Sequence, residues 1–371
     1  MLLEQNSFAN LEQYSSAKID ALVAESQDLC QRIDQSFDNG LVLYGAGFVG
    51  KWALNYMQSL GANIPHFYDS DLNKAGCLID GVPIKNPADG TAEISAMLVT
   101  ARHAFAQIKA QFDSSNIPIM SFDGYFIVKN YERLRRVRDQ FLQDDVSVMT
   151  FNAILWSLLN GSEQGCKDVL VKDMYFGLKD FSGNFNETFV DAGAFVGDSV
   201  ERFIWENLGT FNHLYAFEPG EKQFKALQVR MKRLCAEWAI AEDKVSLIEA
   251  GLGKENGTAN FAYLDDSPLR HALHNDEEAG DSGAKIYALD DYLNGKPVSL
   301  IKADVEGMEM DLLRGARATI VKHRPKLALC VYHYPADLYE IPEFIDSLGL
   351  NYRFDLRQHA PVIGDYVLYC Y

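Results

Sequence analysis

The sequence predicts an α/β protein with two parallel-sheet domains, and three observations carry that prediction. Short apolar runs alternate with helical segments along most of the chain, the order that builds parallel sheets. A glycine turn follows an apolar run twice, in "LYGAGFVG" (Leu43–Gly50) and in "FVDAGAFVG" (Phe189–Gly197). The chain has 371 residues, too many for one ordinary core of ~100 to 200 residues and about right for two.

Composition narrows the class. A formal net charge of −18 repels a phosphate backbone over most of the surface, so nucleic acid is not an expected partner. The opening "MLLEQNSFANLEQYSS" has no basic region ahead of an apolar one, and no run approaches the ~18 apolar residues of a membrane span. A cytoplasmic protein is expected. The six cysteines are widely scattered without a Cys-x-x-Cys pair, which fits reduced thiols better than a structural zinc or a disulfide framework.

The elements follow in order. Leu11, Leu22, Leu29, Ile33 and Phe37 recur near helical spacing and predict an amphipathic entry helix. "GLVLYGAGFVGKWALNYMQSLG" reads as strand, glycine turn and helix, closed by Gly61, with "IPHFYD" as the next strand. Further strands at "GVPIKNP", "SAMLVTA" and "IPIMSF", with a helix around "HAFAQIKAQF", complete a first domain over residues 1–126. Residues 127–165 read as a helical connector ended by Gly161, and residues 166–371 as a second domain. Its apolar strands are "ETFVDAG", "HLYAFEP", "KVSLIEAG", "VSLIKADVEG" and "PKLALCVYH". The close, "YRFDLRQ" and then "DYVLYCY" across a Pro and a Gly, predicts an antiparallel hairpin.

In the first glycine motif, Gly45, Gly47 and Gly50 lie between strand and helix, with Asp69 at the tip of the following strand. Such glycines let the backbone approach a phosphate, the helix N-terminus favours its charge, and the acid accepts from a ribose hydroxyl. A glycine turn that only packs a helix on a sheet is the structural alternative. The stretch from Tyr44 to "GVPI" resembles the small N-terminal Rossmann-like domains of sugar-modifying enzymes, which implies a nucleotide or nucleotide-sugar site.

The second motif is different. Its strand ends in an acid, Asp191, its turn runs through Gly193, Ala194, Phe195 and Gly197, and the next strand ends at Glu218 in "AFEP". A cofactor lying across these tips meets an acid near its amine, a glycine turn beneath it and a second acid for a ribose diol, which suits S-adenosylmethionine. Downstream, "SLIKADVEGMEMDLLRGA" gathers Asp304, Glu306 and Glu309 at a strand tip and the start of a helix, where the macrodipole favours anions.

With "YAFEP", "LDDYL" and "RPKLALCVYHYPADLYEIPEFI", these segments resemble the FkbM family of S-adenosylmethionine-dependent methyltransferases over most of residues 170–371. The resemblance implies two Rossmann-like domains, the C-terminal one a class I methyltransferase doubly wound seven-stranded sheet with an antiparallel last strand. It puts Asp191, Gly193, Ala194, Phe195 and Gly197 in the cofactor turn, Glu218 on the ribose hydroxyls and Gly251 near the adenine. The reaction it implies is O-methylation of a hydroxyl on a sugar, glycan or secondary metabolite.

An in-line transfer must align the acceptor oxygen behind the methyl and help remove its proton. Asp304, Glu306 and His333 are expected to face that position, with His333 the first choice for general base because a free imidazole titrates near pH ~6.5. A histidine that merely bonds a backbone carbonyl is the alternative. Asp304 and Glu306 would orient the acceptor, act as base, or share a divalent cation such as magnesium. His271 and His274 lie in a polar segment read as a loop, and the arginines from Arg133 to Arg138 as a solvated helix face.

A rival reading is an NAD-dependent short-chain-type sugar oxidoreductase, since Ser162, Tyr175 and Lys179 have the spacing of its catalytic triad. That tyrosine should ride a long helix, yet "YFGLKDFSGNFNE" carries interior glycines that cost about 1 kcal/mol each. A non-catalytic nucleotide-binding protein is a third reading. The acceptor and the oligomeric state, including a homo-oligomer, are left open by the sequence.

Overall fold

The computed structural model describes residues 11–90, 94–112, 116–263, 271–274 and 283–371, without the side chains of 89, 260–263 and 271–274. The chain divides into two units. The first comprises Met1–Gln140, Asp144–Leu170 and Ala360–Gly364, and the second Phe141–Gln143, Val171–His359 and Asp365–Tyr371.

The first unit is built on strands β1 (Leu41–Tyr44), β2 (Phe67–Tyr68), β3 (Leu78–Ile79), β4 (Val82–Lys85), β5 (Ala96–Val99) and β6 (Ile119–Ser121). They form one six-stranded sheet in the order β3-β4-β2-β1-β5-β6. All neighbours are parallel except β3 and β4. Every residue of β1 and β5 is buried, the signature of a parallel sheet covered on both faces. The entry helix spans Ser16–Asp34 and buries Ile19, Val23, Cys30 and Ile33, so the core face runs beside Leu22 and Leu29 rather than through them. Helices Phe122–Lys129, Tyr131–Arg136 and Asp145–Asn160 belong to this unit. The last starts on Asp144, whose carboxylate accepts from the Ser147 N–H, and stops at Gly161, which takes the left-handed conformation a C-cap requires.

The second unit continues with β7 (Thr188–Ala192), β8 (His213–Phe217), β9 (Val245–Ile248), β10 (Gly251–Leu252), β11 (Gly257–Tyr263), β12 (His271–His274), β13 (Gly283–Tyr287), β14 (Leu300–Ala303), β15 (Lys326–Cys330), β16 (Phe354–Gln358) and β17 (Tyr366–Cys370). Seven of these make the main sheet, in the order β16-β17-β15-β14-β7-β8-β9. β17 pairs antiparallel with both β15 and β16, so the expected hairpin closes the sheet. The remaining pairs are parallel, and the order reverses between β7 and β14. In open α/β sheets that switch point is where ligands bind, outside the carboxyl ends of the strands.

Beneath the switch point the core is aromatic. Phe189 of β7 stacks on Phe203 at 4.4 Å between ring centroids, and Phe176 packs edge-on to Phe189. Burying each such ring is worth about 1.5–3 kcal/mol.

The segment between β9 and β14, read from the sequence as helix and loop, also holds a second sheet, β10-β13-β11-β12. His271 and His274 end its strand β12, so the loop expected there is a strand at those positions. Its flanks 264–270 and 275–282 lie outside the described residues.

Candidate functional site at the switch point

The β7 turn is shaped by steric necessity. Gly193 has φ +76°, and a Cβ there would stand 1.8 Å from the Asp304 carbonyl oxygen, so a side chain is excluded by conformation and by space. Its N–H and that of Ala194 both donate to the Phe217 carbonyl at the end of β8, at 3.1 and 2.9 Å. Gly197, at φ +85°, starts the helix Asp198–Glu206.

Between these glycines Phe195 has φ +46°, a conformation rare for a bulky residue. Glu218 holds it there. One oxygen of this buried carboxylate accepts from the Phe195 N–H at 2.8 Å and the other from the Gly220 N–H at 2.7 Å. The turn thus carries, between its glycines, an aromatic residue clamped by the acid at the next strand tip.

Asp191 is fully enclosed. Its Oδ1 lies 3.0 Å from Lys302 Nζ, and its Oδ2 accepts from Ser199 Oγ. The same ammonium donates to the carbonyls of Ala192 and Gly193, at 3.2 and 2.6 Å. Burial pushes the Asp191 carboxyl up while Lys302 and Ser199 oppose it. Burial also works against the Lys302 charge, but Asp191 and Asp304 more than compensate and hold it well above its ordinary range. Gly251, the residue expected near an adenine, begins β10 and pairs with Ile286 of β13.

A second cluster lies just past β14 and β15. Asp304 Oδ2 accepts from the Tyr175 hydroxyl at 2.8 Å, and Oδ1 from the Tyr332 hydroxyl at 3.0 Å. Burial would raise the Asp304 carboxyl, but Lys302, His333 and the two phenols lower it below its ordinary value. His333 is buried, with Nε2 at 3.5 Å from Asp304 Oδ1 and 3.6 Å from Glu306 Oε2, and Nδ1 at 3.0 Å from Glu309 Oε1. Burial opposes its charge, yet Glu309, Asp304 and Glu306 push it up to about 10. Glu309, 1% exposed, also accepts from the Val305 N–H at 2.8 Å. Asp337, buried and facing Glu309, is pushed up to about 8.

The structure therefore brings together Asp304, Glu306 and His333 as the sequence suggests, and adds residues that sequence reasoning did not place there: Tyr175, Tyr332 and Asp337. Both ring nitrogens of His333 lie near carboxylates, yet neither makes a hydrogen bond.

The oxidoreductase triad does not assemble. Tyr175 lies in a turn at φ +69° with its hydroxyl on Asp304, Lys179 is exposed in a separate short helix, and Ser162 belongs to the first unit.

In the first unit Gly45 has φ +109°, and a Cβ on Gly50 would stand 2.1 Å from the Gly45 carbonyl oxygen, whereas one on Gly47 meets nothing within 4 Å. Asp69, buried at the tip of β2, accepts from the Ala46 N–H at 2.8 Å and the Asp71 N–H at 2.9 Å. Its other contact is Lys74 Nζ at 3.4 Å.

The strand order, the single antiparallel strand and a glycine turn at the switch point define the second unit as a methyltransferase-type α/β domain. Residues 191–354 match the family described as the methyltransferase FkbM domain. A crystal structure of the FkbM methyltransferase from Methylobacillus flagellatus is similar over 96% of this chain and 98% of that one, at 23% identity and TM-score 0.58. An rRNA methylase from Streptococcus thermophilus matches at 18% identity over 56% of this chain and 91% of its own, TM-score 0.31. Fibrillarin from Aeropyrum pernix, solved with natively bound S-adenosyl-L-methionine, matches at 12% identity over 53% and 71%, TM-score 0.33. No curated protein matches the chain. No helix among the described residues is long and apolar enough to cross a membrane.

Proposed function

We propose that the second unit transfers a methyl group from S-adenosylmethionine to a hydroxyl of a sugar, glycan or secondary metabolite. The observation that carries this reading is the β7 turn, whose Gly193 leaves no room for a side chain and whose Phe195 is clamped by Glu218 at the neighbouring strand tip. A cofactor lying across the switch point would rest on this turn, with its ribose hydroxyls on Glu218. Asp191 fixes the turn through Lys302 and Ser199 and keeps its carboxylate out of solvent, so we assign it to building the site rather than to touching the cofactor.

On the acceptor side Asp304, held by two phenols, orients, and Glu306 takes the proton. Its side chain is 45% exposed, whereas that of His333 is 6% exposed and lies among carboxylates. His333, the base expected from sequence, is in this reading the charge that keeps three carboxylates together. The first unit would hold a nucleotide or nucleotide-sugar on the loop of Gly45, Gly47 and Gly50, with Asp69 shaping that loop. A protein that only binds nucleotides would take up S-adenosylmethionine without turnover.

The test is transfer of labelled methyl from S-adenosylmethionine to a panel of hydroxylated acceptors, free and nucleotide-linked, with Glu306→Gln as the comparison. A labelled acceptor whose formation falls at least ~100-fold in Glu306→Gln, the typical scale of general-base catalysis, supports the assignment. Cofactor uptake with no acceptor labelled would favour the non-catalytic reading.

A further inference from the structure

We infer that Asp304, Glu309 and His333 form a site for one divalent metal ion. The three side chains each offer a donor atom, and those atoms lie within 4.8 Å of one another. Two carboxylates and an imidazole are a mixed oxygen and nitrogen set that suits magnesium- or manganese-type ions.

Two independent features mark the cluster as a ligand site rather than a chance meeting of acids. The first is an orphan acceptor. Glu309 is 1% exposed, its Oε1 accepts from the Val305 N–H and lies 3.0 Å from His333 Nδ1, and its Oε2 has no hydrogen-bond partner. A buried carboxylate oxygen left without a partner is costly, and a cation removes that cost.

The second is the way His333 is held. A metal-bound histidine commonly gives its other ring N–H to a carboxylate, which fixes the tautomer and the ring plane. Here both ring nitrogens of His333 are buried without a hydrogen-bond partner, although Glu309 Oε1 is 3.0 Å from Nδ1 and Asp304 Oδ1 is 3.5 Å from Nε2, so the ring still has a nitrogen to give to an ion. Asp304 is held in place, since the hydroxyls of Tyr175 and Tyr332 each occupy one of its oxygens and fix the plane of the carboxylate. These phenols leave lone pairs on both oxygens.

Asp304, Glu309 and His333 would each give one donor atom to the ion, the imidazole in its neutral form. Glu306, 3.6 Å from Nε2 and on the more exposed side, stays outside this set, which separates it from the Asp304 and Glu306 pairing expected from sequence. The inference shares its location with the methyltransferase reading, and the test keeps the two apart.

Full-length protein stripped with EDTA is titrated with MnCl2, read by calorimetry and by the loss of the free Mn2+ electron paramagnetic resonance signal. Binding of one Mn2+ per chain is expected, weakened 10-fold or more in each of Asp304→Asn, Glu309→Gln and His333→Gln. Glu309→Gln keeps the volume of a buried residue, and circular dichroism of each variant confirms that it is folded. No binding to the parent protein, or unchanged affinity in Asp304→Asn and His333→Gln, overturns the inference. S-adenosylhomocysteine titrated into the EDTA-treated protein reports on the methyltransferase reading whatever the metal result.

Discussion

Lys302 and Asp191 form an ion pair of 3.0 Å in which neither side chain is more than 3% exposed, and the same ammonium gathers the carbonyls of Ala192 and Gly193. The pair ties the tips of β14 and β7 together at the point where the strand order reverses. A buried pair of this kind is a device for position more than for stability, because its attraction is largely offset by the loss of hydration.

Removing one partner leaves the other charge without compensation. Lys302→Met is therefore expected to destabilise the protein by about 3–5 kcal/mol in urea unfolding, whereas Lys302→Met with Asp191→Leu recovers most of the loss. The double variant should still fail to bind S-adenosylhomocysteine, since the carbonyls of the turn have lost their anchor. Recovery of binding along with stability would contradict the positional role.

Gly193→Ala tests the turn itself. The added methyl would meet the Asp304 carbonyl oxygen at 1.8 Å, with a backbone that side chains rarely adopt. Neither the clash with a backbone carbonyl nor the strained φ can be relieved by a side-chain rotation, so the variant is expected to lose measurable cofactor binding. Gly47→Ala in the first unit, where a Cβ meets nothing within 4 Å, should leave cofactor binding within 2-fold or so of the parent.

Tyr175→Phe and Tyr332→Phe each remove one hydrogen bond to Asp304, at 2.8 and 3.0 Å. A hydrogen bond to a charged group is worth about 1.5–3 kcal/mol, so each change should lower methyl transfer by roughly 10-fold or more. Cofactor affinity should be unchanged, because both hydroxyls bond Asp304 and not the β7 turn. Steady-state kinetics in which KM for the cofactor rises and kcat does not fall would contradict this.

Stability against acid has a separate source in His359. It is enclosed between the Val171 carbonyl at Nδ1 and the Tyr369 hydroxyl at Nε2, and burial lowers it from 6.5 to about 4. The unfolded chain takes up the proton below pH ~6.5 and the folded chain does not, so stability present above that value falls as pH drops toward about 4. The loss reaches about 3 kcal/mol, and His359→Gln should flatten that part of the profile of urea midpoint against pH.

The main sheets were legible because their strands are short apolar runs closed by glycine or an acid, as in "ETFVDAG" and "HLYAFEP". The sheet β10-β13-β11-β12 was not, since "GTANFAY" and "GAKIY" mix glycine, asparagine and lysine with apolar residues and show no clean alternation. In the site, Asp304, Glu306 and Glu309 stand together in one segment and could be read as a cluster. Tyr175 could not, because it reaches Asp304 from 129 positions away. Its spacing to Lys179 pointed instead toward a reaction whose geometry the fold does not build. The ion pair of Asp191 and Lys302 was hidden for the same reason: strand register, not sequence, places Lys302 directly opposite Asp191. Nothing in the sequence shows how Phe195 keeps a left-handed conformation, and the Glu218 carboxylate on its N–H accounts for it.

The most direct measurement is calorimetric titration of S-adenosylhomocysteine into the wild-type chain and into Glu218→Ala. Glu218 joins the Phe195 and Gly220 N–H groups and stands where the ribose hydroxyls would lie, so its loss removes both the clamp and the contact. The account predicts one molecule bound per wild-type chain and none detectable in a folded Glu218→Ala. No binding to the wild type, or equal binding to both, would contradict it.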